Sequence, residues 1–156
     1  MLVSSMVPQQ FVGPIWSQVE PLLDKLIAKS NERFKGIDIL HDLLINKQQL
    51  WIVWDEEQDF KIIAMLTTEI FEYPRKRNLV AQNCAGSRLD EWFDDIYKSI
   101  ESFAKTISCD GVEIIGRKGW VPSFKKKGWK EEFVILSKDF EKNVKKEIPS
   151  LKVVNN

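Results

Sequence analysis

Cys84 stands three residues before Ser87, where Ser87-Arg88-Leu89-Asp90 opens a helical pattern, and a thiol at that distance from a helix start could take part in chemistry. The helix dipole and the first unpaired N–H groups favour thiolate over thiol, which makes Cys84 a candidate nucleophile. The competing reading is a small buried residue, because no histidine partner can be identified for it. The only histidine is His41, set among Leu40, Leu43 and Leu44, where packing or capping suits it. One histidine gives Ser-His-Asp catalysis and multi-histidine metal sites little to build on. Cys84 and Cys109 fit neither a metal-ligand spacing nor a disulfide framework, so both are read as reduced and no metal is expected. Arg117, Lys118 and Lys125-Lys126-Lys127 form the most compact basic patch of the C-terminal half, suited to an anion or to a solvated helix face.

Periodicity places the elements that must position these groups. Pro14 opens a helix in which Trp16, Val19, Leu22, Leu23, Leu26 and Ile27 recur at three- and four-residue spacing, with Pro21 a kink or restart. Residues 37–46 put Ile37, Leu40, Leu43 and Leu44 on one side of a shorter helix. Residues 50–54 and 60–71, rich in β-branched and aromatic types, read as strands joined by an acidic turn over 55–59. Pro74 with Arg75-Lys76-Arg77 turns the chain into a third strand over 79–83, completing an antiparallel meander. Ser87 and Asp90 form a capping-box-like start to a long helix whose stripe is Trp92, Ile96, Ile100 and Phe103 and whose end falls near Ser108. Residues 111–116 supply a strand beside the meander and 133–136 another, pairing within the chain or with a neighbouring subunit. A further strand is read over residues 2–7. Six tryptophans are spread over nearly every element, and Trp51 and Trp54 cannot share one face of a regular strand, so one of them is expected to be exposed or at an interface.

Composition limits the function classes. At 156 residues, 44% hydrophobic and with zero formal net charge, the chain suits one domain and carries no global field for a polyanion. No apolar run approaches the ~20 residues of a membrane span, and the N-terminus lacks the basic start and cleavage site of a signal peptide. The chain is read as soluble and cytoplasmic, with no membrane partner and no strong nucleic-acid signal.

Residues 109–129, CDGVEIIGRKGWVPSFKKKGW, run from a short β-branched strand through a Gly-bounded turn and a basic helix to a closing Gly-aromatic pair. After a long amphipathic helix, this succession resembles the C-terminal half of the GNAT superfamily of acyl-CoA N-acyltransferases. In particular it resembles the compact GNAT-like proteins encoded by tailed bacteriophages, which carry a block similar to Gly116-Arg117-Lys118-Gly119-Trp120. The order of elements is similar to that family's over nearly the whole chain. The resemblance implies an α/β (α+β) fold: a mixed, mostly antiparallel central sheet flanked by helices, one domain over residues 1–140. Residues 141–156 form a charged tail expected to fray.

The resemblance also implies chemistry. Acyl-CoA would lie where two neighbouring parallel strands splay apart, its pyrophosphate against N–H groups at a helix N-terminus. The family's Gln/Arg-x-x-Gly-x-Gly/Ala loop corresponds to Gln82-Asn83-Cys84-Ala85-Gly86-Ser87. Gln82 matches, Ala85 replaces the first glycine, Gly86 stands one place late, and Ser87 replaces the last small residue. Arg117 stands where an Asn commonly meets the cofactor, and Phe124 where a Tyr commonly returns a proton to the thiolate; phenylalanine has no proton to give. For a general base on the central strands the candidates are Glu69, the first choice, and Glu72, which regular alternation places on opposite faces. Two functions follow: transfer of an acetyl group from acetyl-CoA to an amine, or a catalytically inactive GNAT fold serving as a phage-encoded structural, virion or protein-binding module. Homo-oligomers and virion assembly are compatible with either.

Overall fold

The computed structural model describes residues 1–141; the tail expected to fray lies outside the described residues apart from Glu141. Backbone contacts gather the chain into two compact units, Met1–Lys118 and the residues from Gly119 onward. The first holds five strands whose order across the sheet is their order along the chain: β1 (Leu2–Met6), β2 (Gln48–Asp55), β3 (Lys61–Tyr73), β4 (Lys76–Gly86) and β5 (Gly111–Ile114). Neighbours from β1 to β4 are antiparallel, while β5 runs parallel to β4. This is the mixed, mostly antiparallel sheet that the sequence implies. Among the described residues no helix is long and apolar enough to cross a membrane.

Helices cover both faces. On one, α1 (Gln9–Val19) and α3 (Gly36–Leu44) bury Val12, Trp16, Ile39 and Leu43 against Leu50 and Met65. On the other, α4 (Leu89–Thr106) lays down Trp92, Phe93, Ile96, Ile100 and Ala104. There the rings of Trp51 and Phe103 meet edge to face at 5.8 Å, and Trp51 Nε1 donates to Thr68 Oγ1 at 3.0 Å.

Several boundaries differ from those read from the sequence. The first helix starts at Gln9 rather than Pro14; Pro14 lies within it on the exposed side, where the carbonyl it deprives of a partner meets water. Pro21 does restart the chain, as a 3₁₀ turn over Glu20–Leu23 that leads into α2 (Asp24–Ala28). Neither Trp51 nor Trp54 is exposed: they take opposite faces across a bulge after Val53, and Trp54 packs partly buried against the α1–α3 cluster. The capping box at Ser87 and Asp90 does not form. Ser87 is held by the sheet, its N–H donating to Ile63 O and its carbonyl accepting from Trp92 Nε1, so α4 opens at Leu89 behind a left-handed Arg88 with no side-chain cap.

In the second unit, α5 (Val121–Lys126) ends at Gly128, whose φ of 89° is the left-handed stop expected there. Phe124 packs its ring against Trp120 and Trp129, at 6.1 and 5.8 Å. The strand expected over 133–136 is not formed, because among the described residues no strand pairs with it.

Asp55 ties the end of β2 to the start of α4. Buried, it accepts from Arg88 Nη1 at 2.7 Å, from Glu57 N–H at 3.1 Å and from Gln58 Nε2 at 3.0 Å. Arg88 also grips Glu91, at 2.7 and 3.0 Å. Hydrogen bonding to this guanidinium holds both carboxyls below their ordinary range. The stability they contribute is therefore full above their unfolded values and is lost as pH falls through the depressed folded ones. Asp55→Asn is expected to lower Tm at neutral pH and to flatten the acid arm of the Tm curve below about pH 4; thermal melts across that range check it, and an unchanged acid arm counts against the pairing.

Candidate functional site

The site is built by a strand that leaves its neighbour. Toward β5, β4 pairs from Asn78 with Gly111 to Ala81 with Ile114, and the last bond is Ile115 N–H to Ala81 O at 2.9 Å. Toward β3 it continues to Gly86, but with a slip: Thr67 faces Gln82 and Met65 faces Ala85, so β4 carries one extra residue. Asn83, inside this bulge, has φ 51°. A bulge bends and twists its strand, and β4 turns away from β5 at this place. That also explains why β5 stops at Ile114 instead of reaching Gly116. Residues 82–86 are left with a strand partner on one side only, beside a gap between two parallel strands.

Buried polar side chains pin the bulge. Thr67, with no exposed surface, donates Oγ1 to Gln82 O at 3.2 Å and accepts from Asn83 Nδ2 at 3.0 Å; the same amide reaches Gln48 Oε1 at 3.4 Å. Neither Thr67 nor Gln48 stands out in a motif search, although a Gln and a Thr on the core face of apolar strands are the signal that points to them. Asn83 spends its amide here, and Gln82 its carbonyl.

The remaining loop residues divide between structure and site. Gly86 has φ 125°, and a Cβ on it would lie 2.4 Å from Ile63 O and 2.5 Å from Ala64 Cα; the backbone of β3 demands this glycine. Ala85 pairs with Met65 and packs against the α1–α3 core. Cys84 belongs to β4 and not to a helix start. Burial pushes its thiol up to about 12, against a weaker pull from the nearby Arg117 charge, so the nucleophile reading is overturned by desolvation. Arg117 itself is exposed, just past the end of β5 and near Cys84. The N-terminus of α4 carries Asp90 and Glu91 in its first turn, while Arg88 is held by Asp55 and Glu91 and the Ser87 N–H by Ile63. The dipole expected to meet a pyrophosphate is answered by the chain's own carboxylates.

Of the two candidate bases, the structure sets Glu69 near the gap and Glu72 apart from it. Glu69 pairs with Val80, two residues before Gln82, on the same face of β3 as Thr67. Its Oε1 is buried without a hydrogen bond and lies 3.8 Å from Lys47 Nζ. Glu72, on the opposite face at the hairpin end, forms a surface ion pair with Arg77 at 3.2 Å. Phe124 lies in the second unit, within its aromatic cluster. Among the described residues no group of three or more His, Cys, Asp or Glu is placed to hold a metal.

No protein-family model and no curated protein sequence matches the chain. Solved structures do. A glucosamine-6-phosphate N-acetyltransferase from Arabidopsis thaliana superposes with TM-score 0.63 at 13% identity over 90% of this chain and 99% of its own. An aminoglycoside acetyltransferase from an uncultured soil metagenomic sample gives 0.65 at 14%, over 90% and 97%. A predicted acetyltransferase from Clostridium acetobutylicum, solved with acetyl-CoA, gives 0.61 at 17%, over 89% and 96%. At such identities the fold is what is shared, and it is the GNAT fold.

Two outcomes follow from the geometry. Cys84 is expected to react with iodoacetamide near pH 8 well over 100-fold more slowly than free cysteine, because so little thiolate is present; mass spectrometry of the modified peptide measures it, and rapid labelling contradicts the burial. Gly86→Ala is expected to cost roughly 3 kcal/mol or more in denaturant unfolding, from φ strain and the clash with β3, whether or not any ligand is added.

Proposed function

We propose that this chain holds an acyl-CoA thioester in the gap between β4 and β5 and transfers its acetyl group to an amine, in the cytoplasm of the cell that makes it. The observation that carries the reading is the parting of β4 from β5 after Ala81, in a fold shared with acetyltransferases. Residues 82–86, lacking a strand neighbour on the β5 side, have room for an extended ligand chain to lie alongside as a strand would. Arg117, at the mouth and with Lys118 beside it, supplies positive charge for phosphates, a part that the N-terminus of α4 is poorly equipped to play.

When bound, acetyl-CoA supplies an activated acyl thioester. Glu69, its Oε1 buried and without a hydrogen bond, accepts the proton that the acceptor amine loses on attack, directly or through water. Lys47, 3.8 Å from that oxygen, holds the carboxylate charged until a cationic amine takes its place. Phe124 gives no proton, so water protonates the departing thiolate. The acceptor is an amine on a small molecule or a protein.

A second reading is favoured by the carboxylates at the N-terminus of α4 together with Phe124: a GNAT fold without catalysis, used as a phage-encoded virion or protein-binding module. Calorimetric titration of acetyl-CoA separates the two. The transferase reading predicts saturable binding, weakened roughly 3- to 10-fold by Arg117→Ala through a lost charge-assisted contact. Acetyl transfer to an amine panel is expected to drop ~10²-fold in Glu69→Gln, with binding retained. Absence of heat at millimolar cofactor overturns the transferase reading; binding with full turnover in Glu69→Gln removes only the base.

A further inference from the structure

Residues 133–136, Phe-Val-Ile-Leu, are 89%, 66%, 77% and 92% exposed. Four consecutive large apolar residues so open to water are costly in an isolated chain, and their β-branched, aromatic character is that of a strand. The sheet of the first unit ends at β5, whose outer edge pairs with no strand among the described residues. A free edge of this kind presents unpaired N–H and C=O groups that natural proteins cover or blunt. Ile115, just past β5, is 49% exposed and extends its apolar character. The molecule therefore carries both a strand without a sheet and a sheet edge without a strand.

The charges flanking the two segments select an orientation. The run is preceded by Glu131-Glu132 and followed by Ser137-Lys138; β5 is preceded by Asp110 and followed, after Ile115 and Gly116, by Arg117-Lys118. Laid antiparallel with Lys118 opposite Glu131 and Arg117 opposite Glu132, the two segments bring Ile115 opposite Val134 and Ile114 opposite Ile135, and carry Lys138 to the Asp110 end. Laid parallel in the matching overlap, they would set Glu131 against Asp110 and Lys138 against Arg117, like charges at both ends. Opposite charges across a strand pair stabilise it and like charges destabilise it.

We propose that residues 131–138 of one copy add as an antiparallel sixth strand to the β5 edge of a second copy, and that the exchange is reciprocal. The partner is another copy of this chain because that copy brings the same run and the same edge, so a single contact made twice buries both and closes at two subunits. Each apolar side chain leaves water, and the β5 backbone gains the ladder that it lacks.

Light scattering on a sizing column at tens of micromolar protein tests the assembly. The mass expected is twice 18.2 kDa. Val134→Pro, which removes a ladder N–H from a segment outside the folded core, is expected to return the mass to one chain with an unchanged circular dichroism spectrum. The double variant Ile115→Cys/Val134→Cys, oxidised, is expected to run as a disulfide-linked dimer on a non-reducing gel, with the wild type and each single variant as controls for Cys84 and Cys109. A monomeric wild type overturns the proposal, as does an intramolecular disulfide, which would mean that the run covers its own edge. A dimer that survives Val134→Pro, or one that never cross-links, shows a different interface and overturns it equally.

Discussion

One extra residue in β4 determines what this molecule can hold. Because β4 gains that residue against β3 at Asn83, it twists away from β5, and the chain must accept an unpaired strand edge in the middle of its sheet. An edge in that position costs backbone hydrogen bonds that an uninterrupted sheet would make. The bulge is maintained by side chains buried for the purpose: Thr67 bridges Gln82 and Asn83, and Gln48 supports the same amide. Without them the register of β3 and β4 could close up, and β5 could pair past Ala81.

The start of α4 tells a complementary story. Helix N-termini bind anions because their N–H groups and dipole are unanswered, yet here the answer comes from within. Asp90 and Glu91 occupy the first turn, Arg88 is neutralised by Asp55 and Glu91, and Ser87 is tied to β3. This corner locks β2, β3 and α4 together. Two neighbouring features of one loop therefore serve different ends: the bulge opens the sheet, and the corner beyond it closes the fold. Any phosphate has to look to Arg117 and Lys118 on the other strand.

Much of the architecture is legible from periodicity. The antiparallel meander, the stripe of Trp92, Ile96 and Ile100, the strand after Gly111 and the Gly128 stop all appear in the residue pattern and in the fold. The site is legible only in part. Residues 82–86 form a segment at the gap, but Gly86, which invites a ligand reading, is required by the approach of Ile63 and Ala64, and a contact between distant segments leaves no local trace. Cys84 misleads for a related reason: proximity in sequence to a helix suggests a thiolate, while the extra strand length carries it into buried surroundings. Thr67 and Gln48 go unnoticed because their role depends on a register slip that no single-strand pattern reveals. The strand expected over 133–136 has the right composition and no neighbour within the described residues, which shows that strand propensity is satisfied only by pairing.

The central claim is that the gap beside residues 82–86 is a binding site rather than a packing irregularity. Hydrogen exchange of the backbone amides, followed with and without acetyl-CoA, addresses that gap directly. The account predicts that peptides covering residues 82–86 and 115–117 slow on addition of the ligand while the β1–β2 and β2–β3 ladders keep their rates. Unchanged exchange at 82–86 under saturating ligand, or protection confined to some other surface, would contradict it.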